Sequence, residues 1–224
     1  MKKWFLIGCL VLLFHKNHAQ ISVKGPRIGI GYSGNTYFGD LNANEKLHRF
    51  YPGIYLSLGF ETQKMFMPGF NVIIGKFIAQ TRNLPPIEGI QPNSFVKTPF
   101  VNTFLSLKVR PLFKKSISPF LGFGLGLLHF TPKNEQNQNL STLLSTRPPG
   151  ESYPSNSLNF PMNLGVDFKL SRSISLGLNY FYVLTTTDYL DNIGKLGTQK
   201  GNDKMMQLSL SMQIVLEGEG RRGR

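Results

Sequence analysis

The chain has 224 residues, of which 41% are hydrophobic, and carries a formal net charge of +13. Its single cysteine, Cys9, excludes an internal disulfide. A basic chain can bind nucleic acid, but there is no compact run of lysine and arginine with interleaved aromatic residues. The composition therefore argues against a nucleic-acid partner and favours acidic lipid headgroups or an acidic protein.

The first element in chain order is a predicted signal peptide at residues 1–19. It begins with Lys2 and Lys3, continues with an apolar core over residues 4–14, and ends at the small residue Ala19. A lipoprotein cleavage box ending at Cys9 is the alternative, but the apolar core continues beyond that cysteine, whereas it normally precedes the processing site. Cleavage after the signal leaves 22 basic and 12 acidic residues, a net charge of +10.

The rest of the chain repeats a pattern of period two, which is the period of a β-strand. In FLGFGLGLLHF, residues 120–130, leucine and phenylalanine occupy one face and glycine the other. The glycines would leave room inside a barrel for bulky or charged neighbours such as Glu61, Lys108, Asp167 and Lys169. The predicted strands are 27–33, 51–61, 67–81, 100–110, 120–130, 158–170, 174–185 and 205–216.

The connections between these strands alternate between long loops and tight turns. That layout predicts an all-β fold, an eight-stranded antiparallel up-and-down transmembrane β-barrel in the cell outer membrane. Short turns and both termini would face the periplasm. The domains are then a signal peptide (1–19), the barrel (20–216) and a basic tail (217–224). A soluble lipocalin-type barrel is the structural alternative, and a narrow pore is disfavoured because eight strands enclose little lumen.

Three motifs near the strand ends carry a family resemblance: YFGDLN (37–42), HFTPK (129–133) and TDYLDN (187–192). With them the chain resembles the small outer-membrane β-barrel proteins of Bacteroidota that include PorG, a barrel associated with type IX secretion. It departs from the family pattern at Thr131, where asparagine is common, and at Asn192, where a second aspartate is common. The resemblance implies a barrel and a link to protein transport by that system. The family-motif loop residues are Tyr37, Phe38, Gly39, Asp40, Asp188, Tyr189 and Asp191.

No catalytic, cofactor-binding or metal-binding residues are predicted. His129 is in phase with Leu127, so we expect an interfacial side chain rather than a catalytic base. Asp188 and Asp191, with Asp203 nearby, are interpreted as turn residues, with a cation site as the alternative. GIGYSG, residues 29–34, matches a dinucleotide fingerprint, but no helix is predicted after it.

The predicted function is a non-catalytic anchor or scaffold in an envelope assembly. The alternative is a barrel enzyme acting on lipid or peptide at the extracellular rim through His48 or the pair Asp188 and Asp191. A periplasmic protein or lipoprotein would dock on a basic rim, alongside contacts with outer-membrane lipids. The rim residues are Lys64, Arg110, Lys114, Lys115, Arg172, Arg221 and Arg222. Aromatic girdles at the two membrane surfaces are predicted from Tyr37, Phe38, Tyr51, Phe130, Tyr180, Tyr182 and Tyr189.

Overall fold

The structure is a computed structural model that describes residues 23–42, 49–62, 65–81, 86–87, 89–112, 115–198 and 201–216. The predicted signal peptide and the basic tail lie outside the described residues. So do His48, Lys64, Lys114, Arg221 and Arg222. The predictions on these residues remain predictions.

The described residues form eight antiparallel strands that close into one barrel. Each strand pairs with the next in the chain, and the last strand pairs with the first from Arg27 opposite Val215 to Phe38 opposite Lys204. Closure leaves no unpaired sheet edge. The predicted fold class is confirmed. The strands are β1 Val23–Phe38, β2 Tyr51–Thr62, β3 Phe66–Gln80, β4 Phe95–Val109, β5 Ile117–Phe130, β6 Asn156–Lys169, β7 Ile174–Thr185 and β8 Lys204–Val215.

Several strands are longer than predicted, β1 and β4 by the largest amounts. β1 continues to Phe38 instead of ending at residue 33, and β4 begins at Phe95 instead of residue 100. In both extensions the outward positions are mixed, with polar Thr36 and Lys97 beside apolar Phe38 and Phe95. The alternation of apolar and small residues fades there, so the sequence pattern marked only the part of each strand beside the apolar surface.

The apolar face of the strands lies on the outside of the barrel. On β5 the outward side chains Leu121, Phe123, Leu125 and Leu127 are 55%, 61%, 55% and 56% exposed, as the sequence predicted. The same holds around the wall, for example at Ile30, 59% exposed. A lipocalin-type barrel would place this face inside. Among the described residues, no helix is long and apolar enough to cross a membrane.

The inward glycines of β5 allow neighbouring side chains to fill the lumen. A Cβ atom at Gly126 would lie 2.2 Å from the Thr103 carbonyl oxygen and 2.4 Å from the Phe104 Cβ atom. At Gly122 it would lie 3.5 Å from the Cγ atom of Lys108. The close approach at Gly126 shows a glycine making room for a bulky neighbour, Phe104, whereas the Lys108 distance at Gly122 is an ordinary van der Waals contact.

The connections are long at one end of the barrel, here called the loop end, and short at the other, here called the turn end. The loop end carries the connections after β1, β3, β5 and β7, with 3-10 helices at Asp40–Asn42, Leu140–Thr142 and Leu144–Thr146. The turn end carries the connections after β2, β4 and β6, and both terminal strands begin or finish there. This alternation matches the predicted one.

The lumen is filled at successive levels between the two ends. Towards the turn end, Asn179 and Asp167 are 0% and 1% exposed. In the middle, Tyr55 and Phe181 are both 0% exposed, with ring centroids 5.8 Å apart. Towards the loop end, Tyr37 stacks on Phe77 with a centroid distance of 4.5 Å. A water-filled channel would leave inward side chains accessible, so the described lumen contains no open channel.

Candidate functional site

The loop end is closed by a cluster of contacts that we call the plug, formed by the loops after β1, β3, β5 and β7. At its centre is Asp191, which is fully buried. Its Oδ2 atom accepts hydrogen bonds from the Tyr37 hydroxyl at 3.0 Å and the Leu41 amide at 3.3 Å. Its Oδ1 atom accepts one from the Ile193 amide at 2.9 Å. One carboxylate therefore joins the end of β1, the first loop and the last loop.

Asp40 and Asp203 provide two further links within the plug. The Oδ1 atom of Asp40 accepts hydrogen bonds from the Thr198 amide at 2.6 Å and the Thr198 hydroxyl at 3.1 Å, joining the first and last loops. The Oδ2 atom of Asp203 accepts one from the Leu190 amide at 2.8 Å. Gly39 permits this approach, because a Cβ atom there would lie 2.2 Å from the Oδ1 atom of Asp203.

Burial of these carboxyl groups changes their acidity. Burial and the nearby charge of Asp40 raise the pKa of Asp191 to about 7, and the hydrogen bond from the Ile193 amide partly opposes this shift. Burial and the charge of Asp191 raise the pKa of Asp203 well above its usual value. Burial and Asp40 raise the pKa of Asp188 to about 6. The plug is therefore favoured when some of its carboxyl groups hold a proton.

An aromatic stack locks the loop after β5 to the loop after β7. Tyr153 stacks on Tyr189 with ring centroids 4.5 Å apart and on Phe130 at 6.3 Å. The Tyr189 hydroxyl donates to the Oε1 atom of Glu151 at 2.8 Å, and the Arg147 guanidinium lies 4.8 Å above the Tyr153 ring. These contacts are typical of aromatic packing between loops.

Within the plug, Asn192 and its neighbours join the loop after β7 to the loops after β3 and β5. The Asn192 amide nitrogen donates to Asn93 Oδ1 and to Thr146 Oγ1, both at 3.0 Å, and its Oδ1 atom accepts from the Tyr153 hydroxyl at 2.7 Å. The Asn93 side chain donates to the Asp191 carbonyl at 2.9 Å. Asn192 has a left-handed backbone, φ 70°, which asparagine tolerates better than most residues.

The structure brings the motif residues of the first and last loops together. Tyr37, Gly39 and Asp40 contact Asp191, Asp203 or Thr198 across the barrel mouth. The HFTPK motif contributes through Phe130, which packs against Tyr153, and Pro132, whose carbonyl accepts from the Leu140 amide at 2.9 Å. The motif residues thus form the framework of the plug. The sequence analysis did not identify Asn93, Arg147, Glu151 or Tyr153, although an aromatic residue inside a long polar loop was a usable signal.

The predicted aromatic girdle is wrong at four positions. Tyr37 and Phe130 are 1% and 0% exposed and point into the plug, because each lies in the inward phase of its strand. Tyr51 and Tyr189 pack against the buried core cluster, Tyr51 from the inward phase of β2. Phe38, Tyr180 and Tyr182 are partly exposed. His129 is exposed on the outer wall, as predicted, and its Nδ1 atom lies 2.9 Å from Asn156 Oδ1.

The turn half of the lumen contains a buried ion pair. The Arg27 Nη1 atom donates to Asp167 Oδ2 at 3.1 Å and to Gln213 Oε1 at 3.0 Å. Lys108 donates to Asn179 Oδ1 at 3.2 Å and lies 4.3 Å above the Phe120 ring. Lys108 and Asp167 were predicted to lie in the lumen, whereas Arg27, the partner of Asp167, was missed.

The predicted basic rim is present in part. Lys115 and Arg172 are exposed in the turns after β4 and β6. The two turns are neighbours, because the Lys169 amide donates to the Ser116 carbonyl at 2.8 Å. Arg110 is 1% exposed and lies inside the barrel end, since it continues the inward phase of Lys108. It is not part of an exposed rim.

The described part of the chain gives no catalytic geometry to the remaining candidates, and His48 lies outside it. Among the described residues, no group of three or more histidine, cysteine, aspartate or glutamate side chains is placed to hold a metal ion. Both carboxylate oxygens of Asp191 accept hydrogen bonds within the plug. The GIGYSG segment lies within β1 as extended strand, so it does not lead directly into a helix as a dinucleotide fingerprint does.

Comparisons with solved structures find barrels of the same kind. Neisserial surface protein A is 12% identical, with a TM-score of 0.55, and the match covers 87% of this chain and 99% of that one. OprG from Pseudomonas aeruginosa is 9% identical, with a TM-score of 0.53 and coverage of 89% and 99%. At these identities the likeness shows the fold alone.

A comparison with curated proteins found no match. A comparison with protein families matches residues 5–213 to the family described as "Outer membrane protein beta-barrel domain". That match spans most of the chain, and the closed barrel with its apolar outer face agrees with it. In barrels of this kind the long loops are extracellular and the short turns periplasmic. The chain belongs to the outer membrane protein beta-barrel domain family, and its place is the outer membrane.

Proposed function

We propose that this protein is a non-catalytic anchor or scaffold in an envelope assembly, with the type IX secretion machinery as the assembly that its sequence motifs suggest. The observation that supports a scaffold over a channel is the filled lumen, in which Tyr55 and Phe181 are fully buried at mid-height. The plug covers the extracellular mouth. A barrel closed in this way acts through its surfaces, at the two ends and along the wall.

The turn end is the proposed docking surface for a periplasmic protein. Lys115 and Arg172 project from adjacent turns held by the Lys169 to Ser116 hydrogen bond. The nearby carboxylate of Asp167 is 1% exposed and paired with Arg27, so it does not neutralise this surface. Exposed cations of this kind attract an acidic surface and set the orientation of encounter, an effect that salt weakens. From the sequence alone, we assign four further basic residues to this docking surface: Lys64, Lys114, Arg221 and Arg222.

The enzyme alternative gains no support from the described residues. Asp191 serves as a hydrogen-bond acceptor for the Tyr37 hydroxyl and two amides, which is a structural role. Asp188 is partly exposed, but Asp191 beside it is fully buried and faces no open cleft. A catalytic pair needs access to substrate and an oriented partner.

The test is a charge reversal at the turn end. Tagged protein carrying Lys115→Glu and Arg172→Glu is solubilised in detergent, and the proteins that co-purify with it from its own cells are quantified against wild type. We expect loss of a periplasmic partner with unchanged barrel assembly. The matched control reverses Lys195 and Lys204, two exposed lysines at the loop end, and should retain the partner.

A deletion tests the alternative that the partner docks at the extracellular end of the barrel. If the partner survives the turn-end reversal but is lost when residues 134–153 of the loop after β5 are removed, docking is extracellular and the proposal is wrong. Raising the salt concentration should release the wild-type partner, because the proposed contacts are exposed charges.

A further inference from the structure

The charges at the extracellular end are divided between the inside and the outside of the barrel. The acidic groups Asp40, Glu151, Asp191 and Asp203 are each 6% exposed or less and belong to the plug. Apart from Arg147, which is buried in the plug, the described lysine and arginine side chains at this end remain outside. Among the described residues these are Arg49, Lys76, Lys97, Lys133, Lys195 and Lys204. Within the described residues, the plug therefore withdraws four carboxyl groups from the outer surface, where six basic side chains outnumber the exposed Glu135 and the partly exposed Asp188.

Three of these lysines lie side by side on the outer wall. Lys97 and Lys133 are directly opposite one another, joined by two backbone hydrogen bonds of 2.9 and 3.0 Å. Lys76 faces Pro99, two residues along β4 from Lys97. Their inward neighbours Val96, Thr98 and Phe77 are nearly fully buried, so the lysines are in the outward phase. We call Lys76, Lys97 and Lys133 the lysine patch.

The one described acidic residue close to the lysine patch in sequence is the exposed Glu135, two residues after Lys133, and it forms no ion pair with the patch. The Lys97 ammonium donates to the neutral Asn137 Oδ1 atom at 2.9 Å. None of the three lysines forms an ion pair with a described carboxylate. Like charges directly opposite across two strands are destabilising. An external anion would relieve that repulsion.

The surface next to the lysine patch is apolar. Ile74, two residues before Lys76 on the same face of β3, is 44% exposed, and Leu127, further along β5, is 56% exposed. At about 3.3 Å of rise per residue, the lysines lie at the border of the hydrocarbon layer. A ligand with both an anionic head and acyl chains fits this arrangement better than an acidic protein does.

We infer that the lysine patch binds the phosphate groups of an acylated lipid in the outer leaflet. The acyl chains lie against the apolar wall of β3 to β5, and the phosphates meet the three ammonium groups. This inference does not depend on the proposed scaffold function, because it concerns the lipid-facing wall and not a periplasmic partner.

The test measures lipid retention by native mass spectrometry of the detergent-solubilised protein. The probes are lipid A with its phosphates and the same lipid after enzymatic removal of the phosphates. Wild type should retain the phosphorylated form preferentially. Each lysine removed should weaken retention about fivefold, so the double variant Lys97→Gln and Lys133→Gln should lose roughly twentyfold or more.

The matched control is the double variant Lys195→Gln and Lys204→Gln, which removes the same charge elsewhere at the extracellular end. It should retain the lipid nearly as well as wild type. Equal binding of the dephosphorylated lipid, or an equal loss in the control, would overturn the inference. Wild-type retention should also fall as ionic strength rises, and this measurement does not depend on the folding of any variant.

Discussion

The turn half of the lumen is filled by the strands alone, whereas the loop half is sealed with the help of four loops. In the turn half, polar side chains pair across the lumen, with Arg27 donating to Asp167 and Lys108 donating to Asn179. In the loop half, aromatic rings such as Tyr37 and Phe77 stack below loop carboxylates. The two halves fill the lumen in different ways. At the turn end the strands alone supply an ion-paired interior, whereas at the loop end the loops fold inward and form the plug.

The largest expected effect is in the turn half. Asp167→Asn removes the carboxylate that pairs with Arg27 while both groups are 4% exposed or less. Breaking a buried pair typically costs about 3 to 5 kcal/mol, because the remaining charge stays in a poorly solvated place. Urea unfolding of the barrel in lipid should show a loss of this size.

A double variant provides the control for this prediction. Arg27→Met with Asp167→Asn removes both charges, so it should be more stable than Asp167→Asn alone. A single variant as stable as wild type would show that the pair does not hold the turn half together.

The second effect concerns the lipid-facing wall near the middle of β5, between the turn half and the loop half. Leu125 is 55% exposed on the lipid face. Leu125→Arg should destabilise the barrel by about 2 to 4 kcal/mol if the residue lies at the bilayer midplane. Leu144, 68% exposed in a loop, is the matched control, and Leu144→Arg should have almost no effect. Urea unfolding in lipid measures both, and equal effects would contradict the assignment of the lipid face.

The third effect should be confined to the plug. Gly39→Ala places a Cβ atom within 2.2 Å of the Asp203 carboxylate and 2.6 Å of the Tyr37 ring. Overpacking of this kind costs about 1 to 3 kcal/mol. Hydrogen exchange of the Leu41 and Leu190 amides should become faster, while the Ile174 amide at the turn end should be unchanged. Loss of protection at both ends would mean that the two halves open together.

The fourth effect is the pH dependence of the plug. Burial raises the pKa of Asp191 to about 7, so the closed plug holds a proton that an open plug releases. Its stabilising effect is complete below about pH 4 and is lost as pH rises through about 7. Protection of the Leu41 amide, corrected for intrinsic exchange, should be greater at pH 5 than at pH 8. Asp191→Asn keeps a hydrogen-bond acceptor and should remove most of the difference, and an unchanged pH profile in this variant would contradict the role of Asp191.

Much of the fold follows from the sequence, because lipid imposes a strict rule on outward positions. The alternation at Leu121, Phe123 and Leu125 predicted the strand and its face, and both are confirmed. In the strand extensions, at Thr36 and Lys97, outward positions are polar, so alternation no longer marked the strand ends. The position of a residue along its strand therefore decides whether an outward side chain must be apolar.

The interior was less predictable, because the pairing of inward residues depends on which strands face one another across the lumen. Asp167 was expected inside, but its partner Arg27 is 140 residues away in sequence. The plug joins loops as far apart as Asp40 and Thr198, 158 residues apart. Period-two patterns carry no information about such distant partners. Only the family motifs at Tyr37 and Asp191 indicated that these loops matter.

The central claim is that the barrel is filled and acts through its surfaces. Single-channel recording of the wild-type protein in planar lipid bilayers tests it most directly. With side chains such as Tyr55, Phe181 and Asn179 fully buried across the lumen, we expect no steady ion conductance above that of the bare membrane. A persistent open channel in the wild-type protein would contradict the account.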